Sequence, residues 1–323
     1  MSFESPLFWP AHFKGDILFV LDETLLPEKT HYVKVKNVAQ AVNVIREMKT
    51  RAFGQFLVVL STFLLVLKEN PKIKNGQLMV ELKKAADALN KSRPTFPFSE
   101  VTGMVLGWAQ KTLSEKLDPR ANVEKNIQGF LYGIRMRRLE RVRKLAEILK
   151  RHTSILTHCN VSGELAMAAA ICKGEGNNIR VFATETRPYF QGAKLTCFEL
   201  KKAGIEVTLV ADNAVAAVMN QGLADAVVVG SDRSCANGDV ANKIGTYQIA
   251  VVAREFGIPV YVLTQPSQGT ATGSDIPIEI RDENELLIFK GKRIAPKGVK
   301  GFYPGFDVVP HELITEAIAI NVN

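Results

Sequence analysis

The sequence predicts an α/β protein with a mainly helical N-terminal domain over residues 1–150 and a doubly wound parallel-sheet domain over residues 151–323. Before residue 150 the segments are long and have the apolar spacing of helices, whereas after it short β-branched runs alternate with helical segments. Strand, helix and strand in that order imply parallel strands joined by right-handed crossovers. A chain of 323 residues, 46% of them hydrophobic, is long enough to bury a core in each domain.

The N-terminal domain is predicted to begin with short strands and to continue as helices. Strands fall in DILFVLDETLLP and HYVKVKN, and helices at 38–48, 76–90 and 99–117. The apolar run from Phe53 to Leu67 is shorter than the roughly 20 apolar residues that span a bilayer. It is therefore interpreted as a buried helix, and no membrane partner is expected.

A basic helix is predicted at the boundary between the domains. The formal net charge is +8, and Arg135 to Arg151 carries eight basic and two acidic residues. Its apolar residues fall at helical spacing, so the charges are predicted to form the opposite, solvated face. A nucleic-acid surface is the alternative, but no aromatic interleaving or nucleic-acid motif supports it, and nucleic acid is not expected as a partner.

The C-terminal domain is predicted to alternate strands and helices. Strands are predicted at 154–156, 179–183, 207–210, 226–229 and 260–263, with helices at 163–173, 191–203, 214–221 and 240–256. In a sheet of this kind, ligands bind beyond the carboxyl ends of the strands. The residues after the five strands are polar: His158 to Asn160, Thr184 to Gly192, Asp212 and Asn213, Gly230 to Lys243, and Gln265 with Pro266. A binding site is expected at this edge.

Two of these residues are candidates for chemistry. Cys159 lies between a strand and a helix start, where unpaired backbone N–H groups can lower the pKa of a thiol. A small buried thiol without reactivity is an equally good interpretation from position alone. Asp232 is either an acid–base carboxylate or a turn residue, and position alone favours the turn.

The remaining residues of the predicted edge are interpreted as structural or as ligand-binding residues. His158 is expected to be a structural hydrogen-bonding residue. Asn242 and Lys243 lie near a predicted helix start, where an amide and a cation suit a phosphate. Neither a dinucleotide fingerprint nor a Walker loop occurs, so a nucleotide cofactor is not expected.

The four cysteines do not form a metal or disulfide pattern. They are widely separated, which argues against zinc and against a secreted disulfide scaffold. Cys172 and Cys197 are expected in helix cores, whereas Cys235 lies in a polar loop and stays open. The N-terminus lacks the features of a signal peptide, so a cytoplasmic protein with reduced thiols is expected.

Several ordered blocks resemble one family. The blocks are LDETLLP, NKSRPTF, LTHCN, ETRPYFQGAKLT, GSDRSCANGDVANKIGTY, IPIEIRDENE and FDVVPHELIT. In order and spacing they resemble the methylthioribose-1-phosphate isomerases, a family that includes ribose-1,5-bisphosphate isomerase and the regulatory subunits of initiation factor 2B. The resemblance covers most of the chain.

The resemblance implies a fold, a reaction and a set of residues. It implies a Rossmann-like second domain and a homodimer. It also implies that an aldose 1-phosphate is converted to a ketulose 1-phosphate without a metal or a cofactor. By resemblance, Cys159 and Asp232 are the catalytic pair, and the substrate contacts are Arg51, Arg93, Gln191, Asn242 and Lys243. A non-catalytic regulatory protein that binds nucleotides or sugar phosphates is the alternative.

The chemistry agrees with a thiol and a carboxylic acid. A sugar phosphorylated on its anomeric carbon cannot open its ring as a free sugar does, so one group must protonate the ring oxygen while hydrogen moves from C2 to C1. A proton-transfer route and a hydride shift both fit this pair.

One segment departs from the family pattern at the substrate pocket. Where the family has Arg-Gly-Ala-Pro, this chain has Arg51 followed by Ala52, Phe53 and Gly54. Phenylalanine in place of alanine would reshape the pocket wall. The reaction type is therefore expected to hold, while the substituent at C5, methylthio or the smaller hydrogen of a 5-deoxy sugar, stays open.

Overall fold

The chain divides into two compact units in the computed structural model, which describes residues 3–94, 96, 98–265, 267 and 269–320. We call residues 6–136 the helical unit, and residues 1–5 with 137–323 the sheet unit. The predicted division after residue 150 differs from this one, which falls inside a single helix, α5 (Pro119–Leu149).

The helical unit begins with a small antiparallel sheet of β1 (Ala11–Lys14), β2 (Ile17–Leu21) and β3 (Tyr32–Val35), in the order β1-β2-β3. The helices before α5 are α1 (Val38–Arg46), α2 (Ala52–Glu69), α3 (Asn75–Ser92) and α4 (Phe98–Ser114). By length and apolar composition α2 could cross a membrane, but most of it is buried inside the unit. Its Leu57, Leu60 and Phe63 lie in the hydrophobic core, as the sequence predicted for a buried helix.

The sheet unit is built on six parallel strands. They are β4 (Ser154–Thr157), β5 (Arg180–Thr184), β6 (Glu206–Val210), β7 (Ala226–Gly230), β10 (Val260–Thr264) and β14 (Glu316–Ala319). Their order is β14-β10-β7-β4-β5-β6. The chain runs outward from β4 to β6, returns to β7 on the other side of β4, and continues outward to β14. The predicted doubly wound sheet is confirmed. The order in which the chain adds strands reverses between β4 and β7, and we call this point the reversal of the sheet.

The connections of the sheet unit carry further elements. The helices are α6 (Glu164–Gly174), α7 (Cys197–Lys202) after a π-helical turn at Gly192–Thr196, α8 (Val215–Asn220), α9 (Thr246–Glu255) and α10 (Asn284–Leu287). A second sheet joins β13 (Phe306–Val309), β9 (Val240–Lys243) and β8 (Arg233–Ser234), and β11 (Ile288–Phe289) pairs with β12 (Lys292–Arg293).

The predicted helix at 240–256 is wrong over its first residues. Val240 to Lys243 form strand β9, and the helix begins only at Thr246. The physical reason is the antiparallel pairing of β9 with β13, a partner far along the chain that local spacing does not reveal.

Candidate active site

The reversal of the sheet brings the two predicted catalytic residues to the same edge. β4 and β7 are parallel neighbours, with Thr157 opposite Val228. Cys159 follows the end of β4 and is half-buried, and Asp232 follows the end of β7 and is exposed. The crevice at such a reversal is where open α/β sheets bind ligands.

The Cys159 backbone is held in an unusual conformation. Its φ is +64°, in the left-handed region, and that of Thr186 beside it is +62°. The Cys159 N–H donates to Thr186 Oγ1 at 3.0 Å, and Thr196 Oγ1 donates to the Cys159 carbonyl at 2.6 Å. Non-glycine residues persist in this region only where neighbours fix them, which is common at active sites.

Asn160, the next residue, anchors the loop to the π-helical turn and α7. Its amide donates to Thr196 Oγ1 at 3.0 Å and to Glu199 Oε1 at 2.9 Å. Its carbonyl oxygen accepts from the Ser162 N–H at 2.9 Å. These hydrogen bonds anchor the loop that carries the thiol.

Two arginines of α5 support the other end of this loop. Arg138 donates to Glu164 Oε1 at 2.7 Å and to the Ser162 carbonyl at 2.8 Å. Arg141 donates to Glu164 Oε2 at 2.7 Å and to the Thr264 carbonyl at 2.6 Å. Burial raises the pKa of Glu164, but the two guanidinium groups outweigh it and hold this pKa below its ordinary value.

The burial of these arginines corrects the prediction for the basic helix. Arg138 is 2% exposed and Arg141 is 3% exposed, so part of the charged face is not solvated. The reason is Glu164, in the first turn of α6, which pairs with both.

His158 is fixed as a neutral imidazole. Its Nε2 faces the Ile244 carbonyl at 2.8 Å, which requires a proton on Nε2, so Nδ1 accepts from Thr184 Oγ1 at 2.6 Å. Burial lowers its pKa, which agrees with the neutral form. Gly245 allows this packing, because a Cβ on it would lie 3.3 Å from the imidazole and its φ is +102°. These contacts fit the structural role expected of His158.

Asn242 and Lys243 are buried at the end of β9. Asn242 donates to Thr246 Oγ1 at 3.0 Å. Lys243 donates to the Gly305 carbonyl at 2.9 Å, and its ammonium lies 4.8 Å from the ring centre of Phe306. Both residues lie near the start of a helix, as predicted. They belong to strand β9, however, and α9 begins three residues after Lys243.

Asp307 lies opposite Asn242 across the β9–β13 pair. Its Oδ2 accepts from the Gly245 N–H at 2.7 Å, and its Oδ1 is buried without a hydrogen-bond partner among the described residues. Burial raises the pKa of this carboxyl group to about 6. The sequence analysis did not single out Asp307, although it lies in the FDVVPHELIT block.

Gln191 lies in the polar segment after β5. It is 4% exposed, and its Oε1 has no hydrogen-bond partner among the described residues. The segment turns sharply here, since a Cβ on the next residue, Gly192, would lie 1.7 Å from the Thr184 carbonyl oxygen. Asp212 supports the same segment by accepting from the Thr186 and Arg187 N–H groups, both at 2.7 Å.

The other cysteines differ in burial. Cys172 is buried in α6, and Cys235 is buried against Ala241 and Ile276. Cys197 is only half-buried, so its expected core position is wrong; it begins α7, where part of its surface stays open. Burial raises the pKa of both Cys172 and Cys197 to about 11, which makes them poor nucleophiles.

In the helical unit, Arg51 and Arg93 both lie at the start of α2. Arg51 is the residue before its first turn. Arg93 donates to Gln55 Oε1, in that turn, at 2.9 Å. Phe53 packs edge-on against Trp9, with ring centres 5.7 Å apart. A helix N-terminus with two arginines is suited to an anion.

Two further predicted positions need separate mention. Pro266 lies outside the described residues. Among those described, Asp239, His311 and Glu312 have donor atoms within 4.8 Å of one another, but Asp239 already accepts from the His311 and Gly273 N–H groups. We assign no metal to this largely exposed cluster.

Comparisons with known proteins show which family the chain belongs to. The sequence matches the initiation factor 2 subunit family over residues 55–319. The chain belongs to this family. A methylthioribose-1-phosphate isomerase of Desulforudis audaxviator is 40% identical to this chain, over 97% of this chain and 92% of its own length. A 5-deoxyribose 1-phosphate isomerase of Clostridium botulinum is 38% identical over 94% of this chain and 90% of its own length.

Solved structures give the same result. A 5-methylthioribose 1-phosphate isomerase from Pyrococcus horikoshii matches with a TM-score of 0.85 at 30% identity, over 98% of this chain and 92% of that one. The delta subunit of translation initiation factor eIF-2B from A. fulgidus matches with a TM-score of 0.84 at 33% identity, over 97% of this chain and 94% of that one. The resemblance predicted from the ordered blocks is confirmed.

Proposed function

We propose that this chain is an aldose–ketose isomerase that converts a 5-substituted ribose 1-phosphate to the corresponding ribulose 1-phosphate. The observation that carries the proposal is the pair Cys159 and Asp232, which follow neighbouring parallel strands at the reversal of the sheet. The curated relatives are named as isomerases of two such sugars, which supports this function over a regulatory one.

The reaction requires one ring opening and one hydrogen transfer. Asp232 donates a proton to the ring oxygen as the bond from C1 to that oxygen breaks. Hydrogen moves from C2 to C1, assisted by Cys159. The proton on O2 passes to the Asp232 carboxylate as C2 becomes a carbonyl, which restores the acid. The phosphate stays on C1, and no hydrogen is gained or lost overall, so the reaction needs no oxidant or reductant.

The other predicted residues are proposed as substrate contacts. Gln191, Asn242 and Lys243 offer amide groups and one cation in the sheet unit, each of them buried. Lys243, as the cation among them, suits the phosphate. Arg51 and Arg93 are proposed to bind substrate at the start of α2.

The substituent at C5 is proposed to be small. Phe53 lies two residues after Arg51 and is already packed against Trp9, so it has little freedom to move aside for a larger group. We therefore expect 5-deoxyribose 1-phosphate to be a better substrate than the methylthio sugar. Homodimer formation and a cytoplasmic location stay predictions, and the mass of the protein in solution tests the first.

A regulatory protein is the second candidate, and the family description and the initiation-factor neighbour favour it. A protein that only binds would have no need for a thiol whose loop is fixed by hydrogen bonds and for an acid after the neighbouring strand. The conformation and contacts of Cys159 therefore favour the enzyme.

A substrate panel tests the proposal. Ribose 1-phosphates with hydrogen, methylthio, hydroxyl or phosphate at C5 are incubated with the purified protein, and the ketulose 1-phosphate is followed by proton NMR. We expect turnover of at least one member, with the 5-deoxy sugar preferred. No turnover of any member by folded protein would favour the regulatory candidate.

A further inference from the structure

A buried tyrosine hydroxyl in the sheet unit has no hydrogen-bond partner among the described residues. Tyr303 is 3% exposed, and its hydroxyl oxygen makes no hydrogen bond within the part of the chain that the structure describes. Nearly all buried polar groups in native proteins are hydrogen-bonded, so an exception needs an explanation. A ligand that completes the bond is one such explanation.

The position of Tyr303 points to the active site. Its carbonyl accepts from the Arg281 N–H at 2.8 Å, and the Lys243 ammonium lies 6.0 Å from its ring centre. Burial raises the pKa of its hydroxyl, and the nearby charges of Tyr189, Glu285 and Cys159 raise it further. The phenol therefore keeps its proton and can only act as a donor toward a charged oxygen.

A neighbouring tyrosine shows the contrast. The Tyr189 hydroxyl accepts from Arg281 Nη2 at 2.6 Å, so a protein group completes its bonding. The two tyrosines share the same surroundings of Arg281 and Glu285, yet only Tyr303 has a hydroxyl without a partner.

Other buried polar atoms without a hydrogen-bond partner among the described residues belong to segments that follow the strands or pair with them. Besides Tyr303, they include Thr157 Oγ1 at the end of β4, Gln191 Oε1 after β5, and Asp307 Oδ1, whose other oxygen binds the Gly245 N–H. Gly245 in turn packs against His158. Gln191 is among the proposed substrate contacts, and Asp307 pairs with another of them, Asn242, so two of these atoms belong to the proposed site.

We propose that the Tyr303 hydroxyl donates a hydrogen bond to the oxygen on C2 of the sugar phosphate, an inference that rests on the proposed isomerase function. Cys159 is assigned to the hydrogen transfer between C2 and C1, and the C2 oxygen is the sugar oxygen next to that transfer. This oxygen gains negative charge as its proton leaves, so a fixed donor stabilises the transition state more than the bound substrate.

The test compares Tyr303→Phe with Tyr189→Phe. We expect Tyr303→Phe to lower kcat/KM by about tenfold or more, with most of the loss in kcat, because the bond strengthens in the transition state. Its urea unfolding midpoint should equal or exceed that of the wild type, because an unpartnered buried hydroxyl has been removed. Tyr189→Phe should instead lower the midpoint, because it removes a satisfied bond to Arg281.

Each outcome decides the inference separately from the proposed function. Wild-type kcat/KM in Tyr303→Phe, or a loss of activity with a matching loss of stability, would overturn the role of Tyr303 and leave the isomerase standing. If the wild type turns over no sugar, calorimetry with 5-deoxyribose 1-phosphate replaces the rate assay. Weaker binding by Tyr303→Phe would then support the contact although the isomerase fails, and equal binding or none would overturn it.

Discussion

Replacing Glu164 by glutamine tests whether the buried ion network supports the Cys159 loop. Glu164 accepts three charged hydrogen bonds from Arg138 and Arg141, each between 2.6 and 2.7 Å. Glutamine keeps the shape but removes the charge, which leaves two guanidinium groups buried beside a neutral amide. Removing one partner of a buried ion pair costs about 3–5 kcal/mol, and we expect Glu164→Gln to lower the free energy of unfolding by this amount.

The matched control is Glu140→Gln. Glu140 pairs with Lys144 one helical turn away at 3.1 Å, but both side chains are about half exposed. Such a pair contributes about 0.3–0.5 kcal/mol, so this variant should be close to the wild type. Both variants replace a glutamate by glutamine, but Glu164 is buried and Glu140 is exposed.

The assay is urea unfolding followed by far-UV circular dichroism. Both tryptophans, Trp9 and Trp108, lie in the helical unit, so fluorescence alone would not report on the sheet unit. The pKa of Glu164 lies below its ordinary value, so its stabilising effect is complete near neutral pH and declines as the pH falls through that lowered pKa. The difference between Glu164→Gln and the wild type should therefore narrow in acid. A loss below 1 kcal/mol at pH 7 would refute the reasoning.

Three further predictions follow from single residues. Phe53→Ala should raise kcat/KM for the methylthio sugar relative to the 5-deoxy sugar by about tenfold or more, measured with both substrates, because Phe53 is the residue proposed to limit the C5 substituent and alanine leaves room for more than a methylene group. An unchanged ratio would contradict that proposed role of Phe53. Asp307 has a pKa raised by burial from its ordinary 3.8 to about 6, so the folded state retains a proton that the unfolded state loses. Wild-type stability should therefore fall as the pH rises from about 4 to 6, by up to about 3 kcal/mol relative to Asp307→Asn in urea unfolding at several pH values, and parallel curves would contradict this. Gly192→Ala would place a methyl group against the Thr184 carbonyl oxygen and should destabilise by about 3 kcal/mol, whereas Gly174→Ala, with open space around it, should be neutral or slightly stabilising in the same urea unfolding assay.

The sequence predicted the elements that have strong local patterns. Buried parallel strands such as Ala226–Gly230 are short β-branched runs, and the apolar helix Ala52–Glu69 is hydrophobic all round, so both stand out without a structure. Strand β9 reads Val-Ala-Asn-Lys and has no such pattern, because its conformation depends on pairing with β13. Its position therefore could not be derived locally.

The sequence predicted those site residues that directly follow strands. It did not predict the residues that other helices and loops bring to the site. Cys159 and Asp232 could be placed at one edge because parallel strands end together. Arg138 and Arg141 belong to a charged helix, where solvated side chains are the rule, and their burial depends on one carboxylate in another helix. Tyr303 lies in a loop segment without periodicity, and only the folded chain shows that its hydroxyl is buried and its ring lies near Lys243.

The most direct test of the isomerase is the comparison of the wild type with Cys159→Ser and Asp232→Asn on 5-deoxyribose 1-phosphate. The account predicts that the wild type forms the ribulose 1-phosphate in the NMR assay, and that each variant folds normally but loses at least about a hundredfold in kcat, the lower end of the contribution of a positioned acid or base. A variant that retains wild-type kcat would contradict the assignment of the catalytic pair.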